Sequence, residues 1–149
     1  MPPAIRIRRA RAGDLPAMLA IEALFPSDRM PARQFRHQLL RGKGRLRVAV
    51  DGARLLGYAL TMFRAGTRVA RLYSLAVHPE ARGRGIGAAL LADAERGARR
   101  RGCTRMRLEV RVRNRAAIAM YAARGYRRFA RRIDYYEDGS DAFRYEAML

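Results

Sequence analysis

The sequence is poor in cysteine and has no long apolar segment. Cys103 is the single cysteine among 149 residues, so no internal disulfide can form and nothing in the cysteine content argues for export. No apolar run approaches the roughly 20 residues that a membrane span needs. The N-terminal stretch MPPAIRIRRARAGD lacks the apolar core of a secretory signal. These absences predict a cytoplasmic protein that does not span a membrane.

Metal-binding side chains and phosphate-loop lysines are also missing from useful positions. His37 and His78 have no metal-ligand companions at suitable spacing, and neither does Cys103. No Gly-Lys-Ser/Thr follows a glycine-rich stretch, which excludes a Walker loop. We therefore expect neither a metal centre nor a Walker-type nucleotide site.

Positive charge dominates what is present. The formal net charge is +19, and Lys43 is the single lysine among 32 basic residues. Such a field attracts polyanions such as RNA, a ribosome or a phosphorylated cofactor. A codon bias toward arginine across a genome explains the same composition. The charge therefore permits a nucleic-acid contact without requiring one, and the position of the arginines relative to a site decides their meaning.

Periodicity and turn signals predict one mixed α/β domain over residues 1–149, with the order βααβββαβαββ. Asp14 is placed to cap the first helix, and Asp51–Gly52 predicts a hairpin between two strands. Asn114 and Gly125 mark the start and end of the last helix. Hairpins come first and helix-separated strands later. This order predicts a single mixed, largely antiparallel twisted sheet with helices on both faces.

A glycine-rich stretch, RGRGIGAALL, follows the strand RLYSLAV and the segment HPEA. Glycine between a strand and a helix lets backbone N–H groups approach a phosphate at the helix N-terminus. Gly83, Gly85 and Ala88 also fit a dinucleotide fingerprint by letter, with Glu109 at the distance of a ribose contact. However, HPEAR separates the strand from the first glycine, and too few parallel strands can follow. The remaining alternatives are a phosphate-binding loop of another kind and a loop that only turns the chain.

The segment VHPEARGRGIGAALL resembles the acetyl-CoA signature of the GNAT superfamily of N-acetyltransferases, V-x-P-x-x-[RQ]-x-x-G-x-[GA]. The signature is met by Val77, Pro79, Arg82, Gly85 and Gly87. The order of elements is that family's order as well, so the resemblance implies the GNAT fold and acetyl-CoA as co-substrate. It further implies that the cofactor's pyrophosphate is held by the amides of Gly83, Arg84, Gly85, Ile86, Gly87 and Ala88, with the charges of Arg82 and Arg84 beside them.

A second block, LEVRVRNRAAIAMYAARGY, is similar to the ribosomal-protein alanine N-acetyltransferases of the RimI type. The similarity implies that Glu109 is the catalytic base, Asn114 a cofactor contact and Tyr121 the general acid. It also implies that backbone N–H groups on the strand before the loop, at Leu75, Ala76 and Val77, stabilise the tetrahedral oxyanion. The later segment RIDYYEDGSDAFRYEAML also resembles that group. Its paired tyrosines, Tyr135 and Tyr136, are therefore candidates for holding the acceptor.

Each of these residues also has an ordinary structural interpretation. Glu109 can be a strand carboxylate paired with an arginine, Tyr121 a core residue at helical spacing, and Asn114 a helix cap. Acetyl transfer to an amine needs a proton acceptor for the amine, a donor for the leaving thiolate and a donor for the oxyanion. The joint spacing of these residues around one glycine loop favours the catalytic interpretation.

The acceptor is the least constrained part of the hypothesis. RimI-type enzymes carry Phe-Pro-Trp between the first two helices; here Phe25 and Pro26 match, but Ser27 stands in place of the tryptophan. The sequence favours the N-terminal α-amino group of a protein, with a ribosomal protein as the leading candidate. Lysine or small-molecule amines remain alternatives, and polyamines and aminoglycosides are disfavoured because the positive charges repel them. A non-catalytic basic module that binds RNA or the ribosome is the alternative from another class.

Overall fold

The computed structural model describes residues 5–25 and 30–149 of the chain. Short 3₁₀ turns at Ala12–Asp14 and Pro79–Ala81 separate longer elements. Within this part the elements follow the predicted order, which is confirmed. They are β1 (Arg6–Arg9), α1 (Leu15–Glu22), α2 (Ala32–Leu40), β2 (Arg45–Asp51), β3 (Arg54–Phe63), β4 (Val69–Val77), α3 (Ile86–Arg100), β5 (Arg105–Arg111), α4 (Arg115–Ala123), β6 (Arg127–Arg132) and β7 (Ala142–Met148).

The described strands form one seven-stranded sheet in the order β1-β2-β3-β4-β5-β7-β6. β4 and β5 run parallel, and the other neighbours run antiparallel. Antiparallel neighbours can be joined by short turns, whereas a parallel pair needs a crossover. The crossover here is the segment that contains α3. The predicted mixed, largely antiparallel sheet is therefore confirmed.

The parallel pair β4–β5 is short, and the two strands separate beyond it. Pairing runs from Val69 with Arg105 to Leu72 with Leu108, although β4 continues to Val77 and β5 to Arg111. At the same level the register between β3 and β4 shifts by one residue, leaving Tyr73 as the extra residue on β4. An extra residue bends a strand and increases its local twist. β4 therefore leaves β5 at this point, and a gap opens in the middle of the sheet.

Helices pack on both faces of the sheet and bury two hydrophobic clusters. On one face α3 contributes Leu90 and Leu91, both fully buried. On the other face, under α1 and α2, Phe35 contacts Tyr58 edge to face with ring centroids 5.2 Å apart. The apolar spacing in α3 follows the period of a helix with one buried stripe. The predicted layers, helices on both faces, are confirmed.

A buried carboxylate joins α3 to the end of α4. Glu95 of α3 is 3% exposed, and its Oε1 accepts a hydrogen bond from the Arg124 guanidinium at 2.5 Å. Its Oε2 accepts one from the Tyr126 hydroxyl at 2.9 Å. Burial, followed by the neighbouring Glu95 charge, raises the pKa of Tyr126, so the phenol stays a donor. This contact therefore fastens α3 to the C-terminal end of α4.

The prediction that Asp14 caps α1 with its side chain is wrong. Asp14 precedes the helix, but its carboxylate makes no capping bond there. Instead it accepts two hydrogen bonds from the Arg8 guanidinium, at 2.8 and 2.9 Å, and one from the Arg11 amide at 2.7 Å. An ionised donor forms a stronger bond with a carboxylate than a neutral amide does. With Arg8 in reach on β1, the carboxylate binds the guanidinium.

None of the helices in the two described ranges is long and apolar enough to cross a membrane.

The contact between α3 and α4 predicts a stability change. Tyr126→Phe leaves the buried Glu95 one donor short, so we expect a loss of about 1–3 kcal/mol in the free energy of unfolding. Urea denaturation measures it. The matched control is Tyr145→Phe, because Tyr145 is buried on the same face and its hydroxyl makes no hydrogen bond with a described residue. Equal losses in the two variants would contradict the role given to the Tyr126 hydroxyl.

Candidate active site

The glycine loop lies between β4 and α3, where backbone conformation explains the choice of glycine. Gly83 has φ of 84° and Gly85 has φ of 74°, in the left-handed region that other residues rarely adopt. A Cβ built at either position meets no atom within 4 Å. The two glycines are therefore needed for the turn, and the space in front of them is open to a ligand.

The amides of this loop are available to a ligand. Ala89 donates to the Gly85 carbonyl at 3.0 Å and begins the hydrogen-bond ladder of α3. Among the hydrogen bonds between described residues, none has the amides of Gly83 to Ala88 as donors to a backbone carbonyl. The first amides of a helix lack partners within the helix and carry its positive dipole end. The predicted amides thus form a row of donors without backbone acceptors, which suits an anion.

The loop arginines and the third glycine have different surroundings. Arg84 donates to Asp51 in the β2–β3 turn at 3.1 Å, which fastens the loop to that hairpin. Arg82 has no ion pair with a described residue, so its charge is the one that remains for a ligand. A Cβ at Gly87 would lie 3.1 Å from Met120 Sδ. Gly87 therefore allows α3 and α4 to approach each other, in addition to presenting its amide.

Backbone groups of β4 also face the gap. His78 donates to the Leu56 carbonyl of β3 at 2.7 Å. Along an antiparallel pair, successive residues point their N–H groups alternately toward and away from the partner. Ala76 therefore bonds to β3 like His78, and the amides of Leu75 and Val77 point away from β3 into the gap. Of the three residues predicted on this strand, two have the orientation that an oxyanion donor needs.

Glu109 is the first residue of β5 beyond its pairing with β4. Its side chain is 7% exposed, and Oε1 accepts hydrogen bonds from the Arg71 guanidinium and, at 3.2 Å, from the Tyr135 hydroxyl. Oε2 accepts one from Arg144 Nε at 3.4 Å. A carboxylate can accept about four hydrogen bonds. These three contacts orient the group and leave it room for about one more donor, such as water.

Tyr121 lies on α4 on the other side of the sheet. Burial raises the pKa of its hydroxyl to about 12, so the phenol is protonated at neutral pH and above. The helix that carries it begins at Asn114, whose side chain accepts a hydrogen bond from the Ala117 amide at 3.2 Å. The predicted capping role of Asn114 is confirmed.

Glu109 and Tyr121 border the same groove although they lie on opposite faces. Glu109 alternates along β5 with Leu108 and Val110, which pack against α3 and α4. Tyr121 belongs to that helical side. Both line a groove of about 230 Å³ at the gap, together with Ser74 and Asn114. The arrangement can place a proton acceptor on one side of a reacting centre and a proton donor on the other.

On the Glu109 side, an adjoining pocket of about 270 Å³ contains both predicted tyrosines. The rings of Tyr135 and Tyr136 contact each other edge to face, with their centroids 4.9 Å apart. Burial, and after it the neighbouring Tyr135, raises the pKa of Tyr136 to about 12. Arg111 lies over the Tyr136 ring at 4.2 Å and pairs with Asp138 at 2.9 Å, which holds the β6–β7 connection over the gap.

Of the other two predicted acceptor residues, only Phe25 belongs to the described part of the chain. Phe25 is partly buried against the cluster under α1 and α2, and it is not among the described residues that line the pocket. Pro26 lies outside the described residues. Met30 lines the pocket instead, and its amide donates to the buried Glu22 carboxylate at 2.8 Å.

Sequence reasoning missed the two arginines that contact Glu109 and missed Met30. Arg71 alternates with Tyr73 along β4, which indicates only that the two share a face. Arg144 lies directly opposite Glu109 in the β5–β7 pairing. No local signal identifies that partner, because the pairing joins strands that are distant in sequence. The sequence feature that could have pointed to Met30 is Glu22, a carboxylate at the end of the otherwise apolar helix α1. A buried carboxylate needs a donor, and the Met30 amide is that donor.

The fold is that of an α/β acyltransferase, with a split parallel strand pair. A glycine loop with open amides precedes α3, and a carboxylate and a phenol lie at the split. The sequence profile of the family described as "Acetyltransferase (GNAT) family" matches residues 13–126 of the chain. The chain belongs to this family of N-acetyltransferases, whose members use acetyl-CoA.

Similar proteins agree with this membership. The chain is 35% identical to N-alpha-acetyltransferase 30 of Schizosaccharomyces pombe over 66% of its own length and 67% of that protein. It is 28% identical to an N-alpha-acetyltransferase of Sulfurisphaera tokodaii over 97% of its length and 93% of the relative. The ribosomal-protein-S18-alanine N-acetyltransferase of Escherichia coli has a similar structure, with a TM-score of 0.84, 27% identity and coverage of 98% and 94% of the two chains. The match to N-alpha-acetyltransferase MAK3 of Arabidopsis thaliana is 38% identical and spans 46% of this chain and 36% of that protein.

The open space at the glycine loop predicts how a substitution affects cofactor affinity. Gly85→Val places a branched side chain in front of the amide row, so we expect acetyl-CoA affinity to fall by about tenfold or more, the equivalent of losing about 1.4 kcal/mol. Isothermal titration calorimetry measures it. Gly102→Val is the matched control, because Gly102 has φ of 85° and equally open surroundings at the far end of α3. Unchanged affinity in a folded Gly85→Val protein would contradict the assigned phosphate site.

Proposed function

We propose that the domain transfers the acetyl group of acetyl-CoA directly to the α-amino group of a protein N-terminus. The observation that carries this proposal is the position of Glu109 and Tyr121 on opposite sides of one gap. The open amides of the glycine loop lie at one end of α3, and the pocket with the paired tyrosines lies beside Glu109. Residues 1–149 then act as one catalytic domain.

In this proposal the cofactor enters from the side of α3 and α4. The amides of Gly83 to Ala88 bind its pyrophosphate, and Arg82 adds charge beside them. Asn114 lines the groove at the first turn of α4 and is placed to contact the cofactor. The amides of Leu75 and Val77 face the thioester carbonyl. They stabilise the oxyanion that forms when the amine attacks.

The reaction needs a neutral amine. Glu109 accepts the amine proton through a water molecule at its remaining hydrogen-bond position, since three donors already surround the carboxylate. The amine nitrogen then bonds to the thioester carbon, and collapse of the tetrahedral intermediate breaks the carbon–sulfur bond. The electron pair leaves on sulfur. No covalent intermediate with the protein is required.

Tyr121 acts on the leaving sulfur. Its pKa of about 12 keeps the hydroxyl protonated, whereas a thiol has a free pKa of about 8.5. Complete transfer of the proton to a thiolate is therefore uphill at this site. The hydroxyl stabilises the developing thiolate mainly as a hydrogen-bond donor, and the proton that finally reaches sulfur comes from solvent.

The acceptor assignment is supported by chemistry and by the relatives. A free α-amino group has a pKa of about 8 against about 10.4 for lysine, so one carboxylate acting through water suffices as base. Tyr135 and Tyr136 are positioned to hold the first residues of an extended peptide. The relatives named N-alpha-acetyltransferase favour a protein N-terminus. We infer a small first residue such as alanine or serine. A ribosomal protein is the leading candidate, in view of the Escherichia coli structure.

The role of Tyr121 predicts a specific kinetic defect. Tyr121→Phe removes only the hydroxyl, so we expect folding and acetyl-CoA affinity to be kept while kcat falls by about 100-fold, the scale of removing one positioned hydrogen-bond donor to a developing negative charge. Steady-state kinetics with calorimetry separate the two effects. Tyr145→Phe serves as the control, since it removes a phenol on the same face outside the groove. Wild-type turnover in Tyr121→Phe would make Tyr121 a packing residue.

The acceptor assignment predicts a preference between two peptides. One peptide begins with a free alanine and contains no lysine; the other has the same sequence with a blocked N-terminus and one internal lysine. We expect acetylation of the free α-amine at a kcat/KM at least about tenfold higher, because far more of it is neutral at pH 7. Mass spectrometry locates the acetyl group. Preferential acetylation of the blocked peptide would assign the protein to lysine or small amines, and acetylation of neither would favour a non-catalytic module.

A further inference from the structure

Within the described ranges, no helix covers one half of a sheet face, and that half is rich in arginine. The hydrophobic cluster under α1 and α2 involves β2, β3 and the end of β4. Beyond β4, the same face is formed by β5, β7 and β6. Side chains alternate along a strand, so Arg107 and Glu109 of β5 lie on this face beside Arg144 of β7.

A groove of about 630 Å³ occupies this uncovered region. Among its charged lining residues are several arginines and one carboxylate, Glu109. The arginines are Arg64, Arg71, Arg107, Arg132 and Arg144. The groove is therefore strongly positive, and concave walls of one charge concentrate the potential within them.

Internal ion pairs neutralise only part of this charge. Arg71 and Arg144 share Glu109, and Arg107 pairs with Glu146 at 2.6 Å. Arg64 and Arg132 have no ion pair with any residue in the described part of the chain. The groove therefore retains positive charge that its own side chains do not match.

Two of the arginines are held in place by an aromatic ring. The guanidinium of Arg107 lies 5.1 Å from the centre of the Phe129 ring, and that of Arg144 lies 5.0 Å from the same centre. Phe129 is 45% exposed and is the extra residue where the β6–β7 register shifts. Stacking on a ring limits the freedom of a guanidinium. These donors are therefore ordered before a ligand arrives.

The groove adjoins the pocket proposed to hold the acceptor amine. Both are lined by Arg71, Glu109 and Tyr135. The amine pocket contains two carboxylates, Glu109 and Glu137, against a single arginine. A cationic α-amine therefore meets negative charge, and the chain that follows it meets positive charge. An extended peptide advances about 3.3–3.6 Å per residue, so the residues just after the first one reach the groove.

We propose that this groove selects acceptors that carry aspartate or glutamate in the positions directly after the N-terminal residue. The inference rests on the proposed function and adds the charge of the acceptor segment to it. Guanidinium groups bind carboxylates with paired hydrogen bonds. A nucleic acid fits less well, because Glu109 and Glu146 lie among the arginines and repel a continuous phosphate backbone.

The test compares three peptides that begin with the same alanine. They carry Asp-Glu-Asp, Asn-Gln-Asn or Arg-Lys-Arg at positions two to four. We expect the acidic peptide to exceed the neutral one by about fivefold to tenfold in kcat/KM, and the basic one to be the poorest. The preference falls as salt is raised to 1 M, where the screening length is about 3 Å.

Charge reversal in the groove supplies the variant. Arg64→Glu/Arg132→Glu removes the two unmatched charges and is expected to abolish the acidic preference while activity on the neutral peptide is kept. Arg6→Glu/Arg9→Glu is the matched control, because it makes the same change in net charge at two exposed residues of β1, at the opposite edge of the sheet. The control is expected to keep the preference.

The outcomes separate this inference from the proposed function. Acetylation of all three α-amines at equal rates, or an acidic preference that survives reversal of Arg64 and Arg132, would overturn the groove assignment and leave N-terminal acetylation standing. Acetylation only of lysine side chains would overturn both. A single-stranded oligonucleotide that inhibits wild type, but not the groove variant, at lower concentration than the acidic peptide would assign the surface to nucleic acid instead.

Discussion

The separation of β4 from β5 after Leu72 and Leu108 is the constraint on which the site depends. Had the parallel ladder continued, the amides of Leu75 and Val77 would bond to β5 and the gap would be closed. Tyr73, the extra residue opposite β3, turns β4 away at the point where pairing ends. Unpaired backbone donors in the middle of a sheet follow from this one irregularity. A sheet that simply continued would be more regular and would have no place for a thioester.

The position of the carboxylates determines what the arginines do. Asp93 binds Arg45 and Arg47 and fastens α3 to β2, while Glu95 binds Arg124 at the end of α4. In these places a buried acid makes arginine a structural residue. On the uncovered face of β5, β6 and β7 the acids are fewer than the arginines, and the excess charge is free to act on a ligand. The same composition thus serves architecture in one region and, in the proposed acceptor groove, recognition in another.

Local sequence signals predicted most of the fold and part of the site. The order of elements, the glycine loop and the cap at Asn114 all depend on contacts within a few residues, which periodicity and turn chemistry report well. Asp14 shows the limit of this reasoning, because its carboxylate had a stronger partner on a neighbouring strand. Glu109 and Tyr121 came from a resemblance of spacing. The geometry adds that they lie on opposite faces and border one groove.

The sequence alone determined the elements, the left-handed glycines and the charge of the chain, since each is a property of residues close together in the chain. Only the tertiary structure decided which of the arginines surround Glu109, which strand amides face the gap and where unmatched positive charge collects. These depend on the register between strands that are distant in sequence, such as β5 with β7, where one step would turn Arg144 to the opposite face. Pairing between distant strands leaves no signature in a short window of sequence. The surroundings of Glu109 are therefore set by strand register, which only the tertiary structure contains.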